Sequence, residues 1–124
     1  MKKLSDAEFE IMKVLWRHSA PMTSNQILGE IEGHNWKLAS LMTVLARMAD
    51  KGAVFCDRST RTNLYSALVS EEQYKIKESE SLLEKLYDKS PKNLIACLYQ
   101  GKKLSDESVQ ELRAYLDSLE GGGK

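Results

Sequence analysis

The sequence is short of the residues that most chemistry needs. Of its 124 residues only two are histidine and two are cysteine. His18 and His34 have no carboxylate or thiol at ligand spacing, and Cys56 and Cys97 form neither a CxxC pair nor a Cys/His ladder. No metal ligand and no disulfide framework is expected, and the two thiols read as reduced and partly buried. Glycine-rich phosphate loops, GxSxG, HExxH and DxDxDG are all missing. Their absence removes the common routes to catalysis, so no catalytic residue and no cofactor is expected. No apolar run approaches the roughly 20 residues that a membrane-spanning helix needs. The opening MKKLSDAEFE turns acidic at once, unlike a secretory leader. These features predict a cytoplasmic protein without membrane insertion.

Net charge is lacking as well, because 18 Lys+Arg meet 18 Asp+Glu. A binder that coats itself on any polyanion is thereby disfavoured. The charges are unevenly placed, however. Residues 1–66 hold nine basic and seven acidic side chains, whereas residues 67–124 hold nine and eleven. The excess concentrates in residues 33–66, where Lys37, Arg47, Lys51, Arg58 and Arg61 face only Asp50 and Asp57. One small basic face on a neutral protein is compatible with DNA binding.

What is present is helical patterning. The hydrophobic share of 42% is enough for a core. Ser5-Asp6-Ala7-Glu8 reads as a capping box, followed by Phe9, Met12, Leu15 and Trp16 at helical spacing up to about His18. Pro21 breaks that helix. Thr23-Ser24-Asn25-Gln26 is a second capping box, with Ile27, Leu28 and Ile31 behind it and turn residues Gly33-His34-Asn35 at its end. A third helix is predicted over Leu38 to Asp50, stopped by Gly52. Ala53 to Cys56 and Thr62 to Ser66 read as the strands of a hairpin tipped by Asp57-Arg58-Ser59-Thr60-Arg61, without the glycine that best suits a tight turn. Three more helices follow. They start near Ser70-Glu71, Ser90-Pro91 and Ser105-Asp106, and Gly121 to Gly123 read as a frayed end.

Three helices, a hairpin and three helices give a mainly α fold with a small β-hairpin. The reading is a winged helix-turn-helix plus a C-terminal three-helix dimerisation region. The expected organisation is a DNA-binding domain over 1–68, a helical dimerisation region over 69–120, and a disordered tail over 121–124.

The third helix is the main functional candidate. At about 100° per residue, Leu38, Leu41, Leu45 and Met48 share one face. The opposite face centres on Thr43 and is flanked by Trp36, Ala39, Ser40 and Arg47. A plain solvated helix would carry Glu and Lys there; short side chains instead permit close approach to a major groove. Ala39, Ser40, Met42, Thr43 and Arg47 are the expected readers, with Trp36 and Lys37 beside them. Thr23 and Ser24 would meet phosphate at a helix start, and Arg58 and Arg61 would lie over the backbone or a minor groove. The last helix carries Val109, Leu112, Leu116 and Leu119 in a 3-4-3 seam. Three short helices make a thin core. A dimer interface is therefore expected from Tyr74, Leu83, Leu86, Leu94, Leu98, Val109, Leu112, Tyr115, Leu116 and Leu119. Two-fold symmetry would suit a palindromic site. The competing reading is a winged-helix module that binds only protein. Such a module needs neither a basic wing nor a small-residue helix face.

These segments resemble the penicillinase and methicillin-resistance repressors and the related copper-responsive repressors, from about Leu4 to Leu116. Leu4-Ser5-Asp6-Ala7-Glu8-Phe9 through Trp16 is similar to the family's opening helix. Trp36 and Ser40-Leu41-Met42-Thr43-Val44-Leu45-Ala46-Arg47-Met48 resemble its recognition helix, pattern T-x-x-T-x-L-x-R-L. Lys51-Gly52-Ala53, Arg61, Tyr65 and Leu104-Ser105 match the turn into the wing, its return strand and the start of the last helix. The resemblance implies a homodimer that represses resistance or stress genes from a palindromic operator with half-sites near TACA and TGTA. It further implies release through a membrane sensor-protease, with cleavage aligned to Cys97-Leu98. The family's Asn-Phe pair is absent there, and the copper branch's C-terminal cysteine cluster is absent too. Ser40 replaces the usual Thr, Met42 stands where some relatives carry Gln, and Thr60 replaces the wing-tip Gly.

Overall fold

Two capping boxes start the fold. Ser5 Oγ accepts from the Glu8 amide at 3.2 Å and the Ser5 amide donates to Glu8 Oε1 at 2.8 Å, opening α1 (Asp6–Arg17). Thr23 and Gln26 repeat the exchange at 3.1 and 2.9 Å and open α2 (Ser24–Glu30). Caps of this kind contribute about 1 kcal/mol each. The third helix, α3 (Leu38–Asp50), has no side-chain cap at Lys37. Burial holds it instead, because Leu41, Leu45 and Met48 are fully enclosed at i, i+4 and i+7.

Gly52, at φ +83°, turns the chain out of α3, and the Ala53 amide closes the turn on Met48 O at 2.9 Å. This left-handed exit is inexpensive only for glycine. The chain then enters an antiparallel hairpin of β1 (Val54–Asp57) and β2 (Leu64–Ala67), with Val54 opposite Ala67 and Cys56 opposite Tyr65. The missing tip glycine is compensated by side chains. Asp57 Oδ1 accepts from the Ser59 amide at 2.9 Å and from Ser59 Oγ at 2.6 Å, and Thr60 Oγ1 donates to Thr62 O at 2.6 Å. Met22, in the α1–α2 connection, adds a rung on β2: its amide donates to Tyr65 O at 2.9 Å and its carbonyl accepts from the Tyr65 amide at 2.7 Å.

The remaining elements are α4 (Glu71–Leu86), α5 (Pro91–Gln100) and α6 (Asp106–Gly122). Ser90 caps α5, with Pro91 at its first position and Gly101 as its C-cap. The structure, a computed structural model, describes residues 3–33 and 35–122. His34 of the expected turn therefore lies outside the described residues, as do Gly123 and Lys124. Gly121 and Gly122, expected to fray, belong to α6; adding residues to an existing helix costs far less than starting one.

The chain divides into two compact units, Met1–Glu78 and Ser79–Lys124, with the division inside α4. All the buried apolar residues described, from Leu4 to Tyr74, lie in the first unit. Phe9, Trp16 and Tyr74 join the first half of α4 to α1, with ring centroids 5.8 to 5.9 Å apart. The Tyr74 hydroxyl accepts from the Leu4 amide at 3.2 Å, and Trp16 Nε1 donates to Val69 O at 2.9 Å. In the second unit no described residue is buried.

Candidate nucleic-acid interface

The inward and outward faces of α3 differ sharply. Leu41, Leu45 and Met48 leave no surface, while Ala39, Ser40, Met42, Thr43, Ala46 and Arg47 are all exposed. These six carry no acidic group, and the helix's one exposed acid, Asp50, is its last residue. Lys37 stands exposed at the N-cap. Trp36 is half-buried and packs against the core, so only part of its ring borders this face. The Thr43 hydroxyl donates to Ala39 O at 3.1 Å. Helix α2, which packs on α3, begins at Thr23 and Ser24, both half-buried. Arg58 and Arg61 are exposed on the wing connection. The sequence reasoning thus named side chains that the first unit displays on three of its segments.

An ion pair ties the end of α3 to α1. Lys51 Nζ reaches Glu8 Oε1 at 2.7 Å. Glu8 is only 2% exposed, and the same oxygen accepts from the Ser5 amide. Burial pushes the Glu8 carboxyl up, but the Lys51 hydrogen bond, the Ser5 amide and the Lys51 charge outweigh it and leave it below its usual value. Sequence reasoning missed this pair, since no local pattern signals partners 43 residues apart. On the hairpin, burial raises the Tyr65 hydroxyl above its usual pKa, beside Cys56 on the opposing strand. The Asp57 carboxyl is lowered by its bonds from Ser59.

The groups expected at a dimer interface separate into two kinds. Tyr74 is 7% exposed and its ring is taken up by α1, so it is not available to a second chain. The other nine, all in the second unit or its part of α4, are exposed or half-buried: Leu83, Leu86, Leu94, Leu98, Val109, Leu112, Tyr115, Leu116 and Leu119. Leu82, Ile95 and Tyr99 are exposed too. Their i, i+4 spacing to Leu86 and to one another was the signal that would have added them. Cys97 is exposed, and its bond to Leu98 lies inside α5.

A family model described as "Penicillinase repressor" matches residues 4–118. The chain belongs to the penicillinase repressor family. The Penicillinase repressor of Bacillus licheniformis is 31% identical over 121 residues, covering 94% of each chain. The Methicillin resistance regulatory protein MecI of Staphylococcus aureus (strain N315) is 27% identical over 116 residues, covering 93% of this chain and 94% of its own. Among solved structures, the DNA binding domain of the repressor BlaI matches at TM-score 0.50 with 35% identity, covering 60% of this chain and 94% of that domain. The Bacillus licheniformis BlaI monomeric form in complex with the blaP half-operator matches at TM-score 0.50 with 32% identity, covering 59% of this chain and 89% of that one. The winged helix of the penicillinase repressor family is thus the fold of the first unit.

A cleft of about 540 Å³ lies between the end of α1, the exit of β2 and the start of α4. Its polar lining is engaged within the fold. Ser70 and Gln73 cap α4, Trp16 holds Val69 O, and His18 Nε2 meets Glu30 Oε1 at 2.7 Å. Among the described residues no group of His, Cys, Asp and Glu is arranged to hold a metal, and no helix is long and apolar enough to cross a membrane.

Proposed function

We propose that this chain is a sequence-specific, DNA-binding transcriptional repressor that acts as a homodimer on a palindromic operator controlling antibiotic-resistance or stress genes. The observation that carries the reading is α3, whose inner face is fully buried and whose outer face offers short, uncharged side chains bounded by Lys37 and Arg47. A helix so built can lie close in a major groove. The similarity to BlaI, solved in complex with the blaP half-operator, supports operator DNA as the ligand. In this reading residues 1–68 bind DNA. Ala39, Ser40, Met42 and Thr43 read bases, with Trp36 at the edge of that surface. Lys37 and Arg47 reach phosphate or guanine. Thr23, Ser24, Arg58 and Arg61 fix the backbone register. Residues 69–120 dimerise. The protein acts in the cytoplasm, has no catalytic activity and needs no cofactor.

The exposed leucines of the second unit support the homodimer. Leu86, Leu116 and Leu119 are each more than half exposed in the single chain, a large apolar area for any monomer to leave in water. Release by a membrane sensor-protease at Cys97-Leu98 completes the reading. Because that bond lies within α5, cleavage there requires the helix to open locally.

The test is a salt-dependent titration of the full chain against a palindromic TACA–TGTA duplex and a scrambled control. Selective binding is expected, and Thr43→Ala should weaken the specific complex by about 1 kcal/mol while leaving the scrambled one nearly unchanged. Equal losses on both duplexes would remove α3 from the reading role. Equal binding of the two duplexes by the unaltered chain, with no sequence enriched from a random pool, would favour a protein-binding winged helix.

A further inference from the structure

The chemistry that α3 reads is written in one hydrogen bond. Thr43 Oγ1 donates its only proton to the Ala39 carbonyl one turn earlier, at 3.1 Å. Such back-bonding is a common resting place for a helical threonine hydroxyl. It leaves the outward part of Thr43 as its Cγ2 methyl and a hydroxyl oxygen without a proton to give. Around it the exposed positions three or four residues away are Ala39, Ser40, Ala46 and Arg47, and exposed Met42 precedes it. Met42 is 45% exposed. Beside the Thr43 methyl the face therefore offers the Ala39 and Ala46 methyls and the Met42 thioether, with hydrogen-bond donors on the neighbouring Ser40 and Arg47.

An apolar patch pressed into a major groove finds one apolar group among the base edges, the 5-methyl of thymine. The other edges are donors or acceptors that would lose water there without a partner. We propose that Thr43, with Ala39, Met42 and Ala46, selects thymine by its 5-methyl group, and that the Thr43 hydroxyl donates no hydrogen bond to a base. This inference rests on the repressor reading and names the base chemistry that the same helix recognises.

The experiment uses the full chain and the duplex it enriches from a random pool. Each thymine of the half-site is replaced in turn by deoxyuridine, which keeps every pairing and groove hydrogen-bonding group and lacks only the methyl. At one or two positions the substitution should weaken binding by roughly fourfold per methyl. Thr43→Ser, which keeps the hydroxyl and loses the methyl, should abolish the preference for thymine over deoxyuridine at one of those positions. Thr43→Val, which keeps a methyl and loses the hydroxyl, should retain that preference. Circular dichroism checks that both variants keep the helical fold. The opposite pattern, with Ser retaining the preference and Val losing it, would overturn the proposal, as would a selected half-site indifferent to deoxyuridine or devoid of thymine. Failure of the pool to enrich any sequence would instead overturn the repressor reading beneath it.

Discussion

Replacing Lys51 by methionine tests how the recognition helix is tied to α1. The substitution keeps length and removes the charge. It leaves the Glu8 carboxylate, 2% exposed, with the Ser5 amide but without the ammonium 2.7 Å away. Removing one partner of a buried ion pair costs about 3–5 kcal/mol. One-fifth of the Lys51 side chain reaches solvent, and water can partly replace it, so the expected loss is about 3 kcal/mol. For a unit of this size that lowers Tm by about 12–24 °C. The pH dependence should change sign as well. In the unaltered chain the Glu8 carboxyl lies below its usual value. Its contribution is complete above the unfolded pKa and is lost as pH falls through the folded one. In Lys51→Met burial acts without the lysine and raises the carboxyl, so acidification from pH 7 toward 5 should stabilise the variant while the parent gains nothing. Thermal melts across that range are the assay. A Lys51→Met chain melting within about 3 °C of the parent, with the same pH slope, would mean that the pair contributes nothing to holding α3 on α1.

Three further outcomes are expected. Arg61→Ala should weaken binding to all duplexes alike and reduce the slope of log affinity against log salt by about one unit; an unchanged slope would place the wing off the phosphates. Leu112→Asp combined with Leu116→Asp should convert dimers to monomers in analytical ultracentrifugation, and persisting dimers would make that seam internal packing. Leu45→Ala, at a fully buried position of α3, should cost about 2–5 kcal/mol in urea unfolding; a loss under 1 kcal/mol would mean that the core closes over the gap.

Most of the element order was legible because its signals are local. The Ser5 and Thr23 boxes, Pro91 and Gly52 each declare a helix end within a few residues, and the bounds of α3 follow from the periodicity of Leu41, Leu45 and Met48. The outward face of α3 was legible for the same reason, being the complement of its buried stripe. What sequence could not supply was contact between distant segments. Tyr74 carries the same apolar signature as the leucines after it, yet the rings of Phe9 and Trp16 claim it for the first unit. Periodicity shows that a face is apolar and is silent about which surface covers it. The Glu8–Lys51 pair and the Met22–Tyr65 rung are invisible for the same reason. The helical state of Gly121 and Gly122 depends on the turns before them, which outweigh the poor intrinsic propensity of glycine.

The rung between Met22 and Tyr65 has a consequence for how tightly such a surface can bind. It joins the residue just before the α2 cap to the return strand of the wing through two backbone hydrogen bonds. The two flanking segments are therefore set in place when the chain folds. The loss of backbone freedom that a floppy wing would suffer on meeting its ligand has already occurred. What is left to immobilise is chiefly the long side chains of Lys37, Arg47, Arg58 and Arg61. Association should accordingly resemble the seating of a rigid template, its speed set by charge steering and little slowed by rearrangement of the main chain.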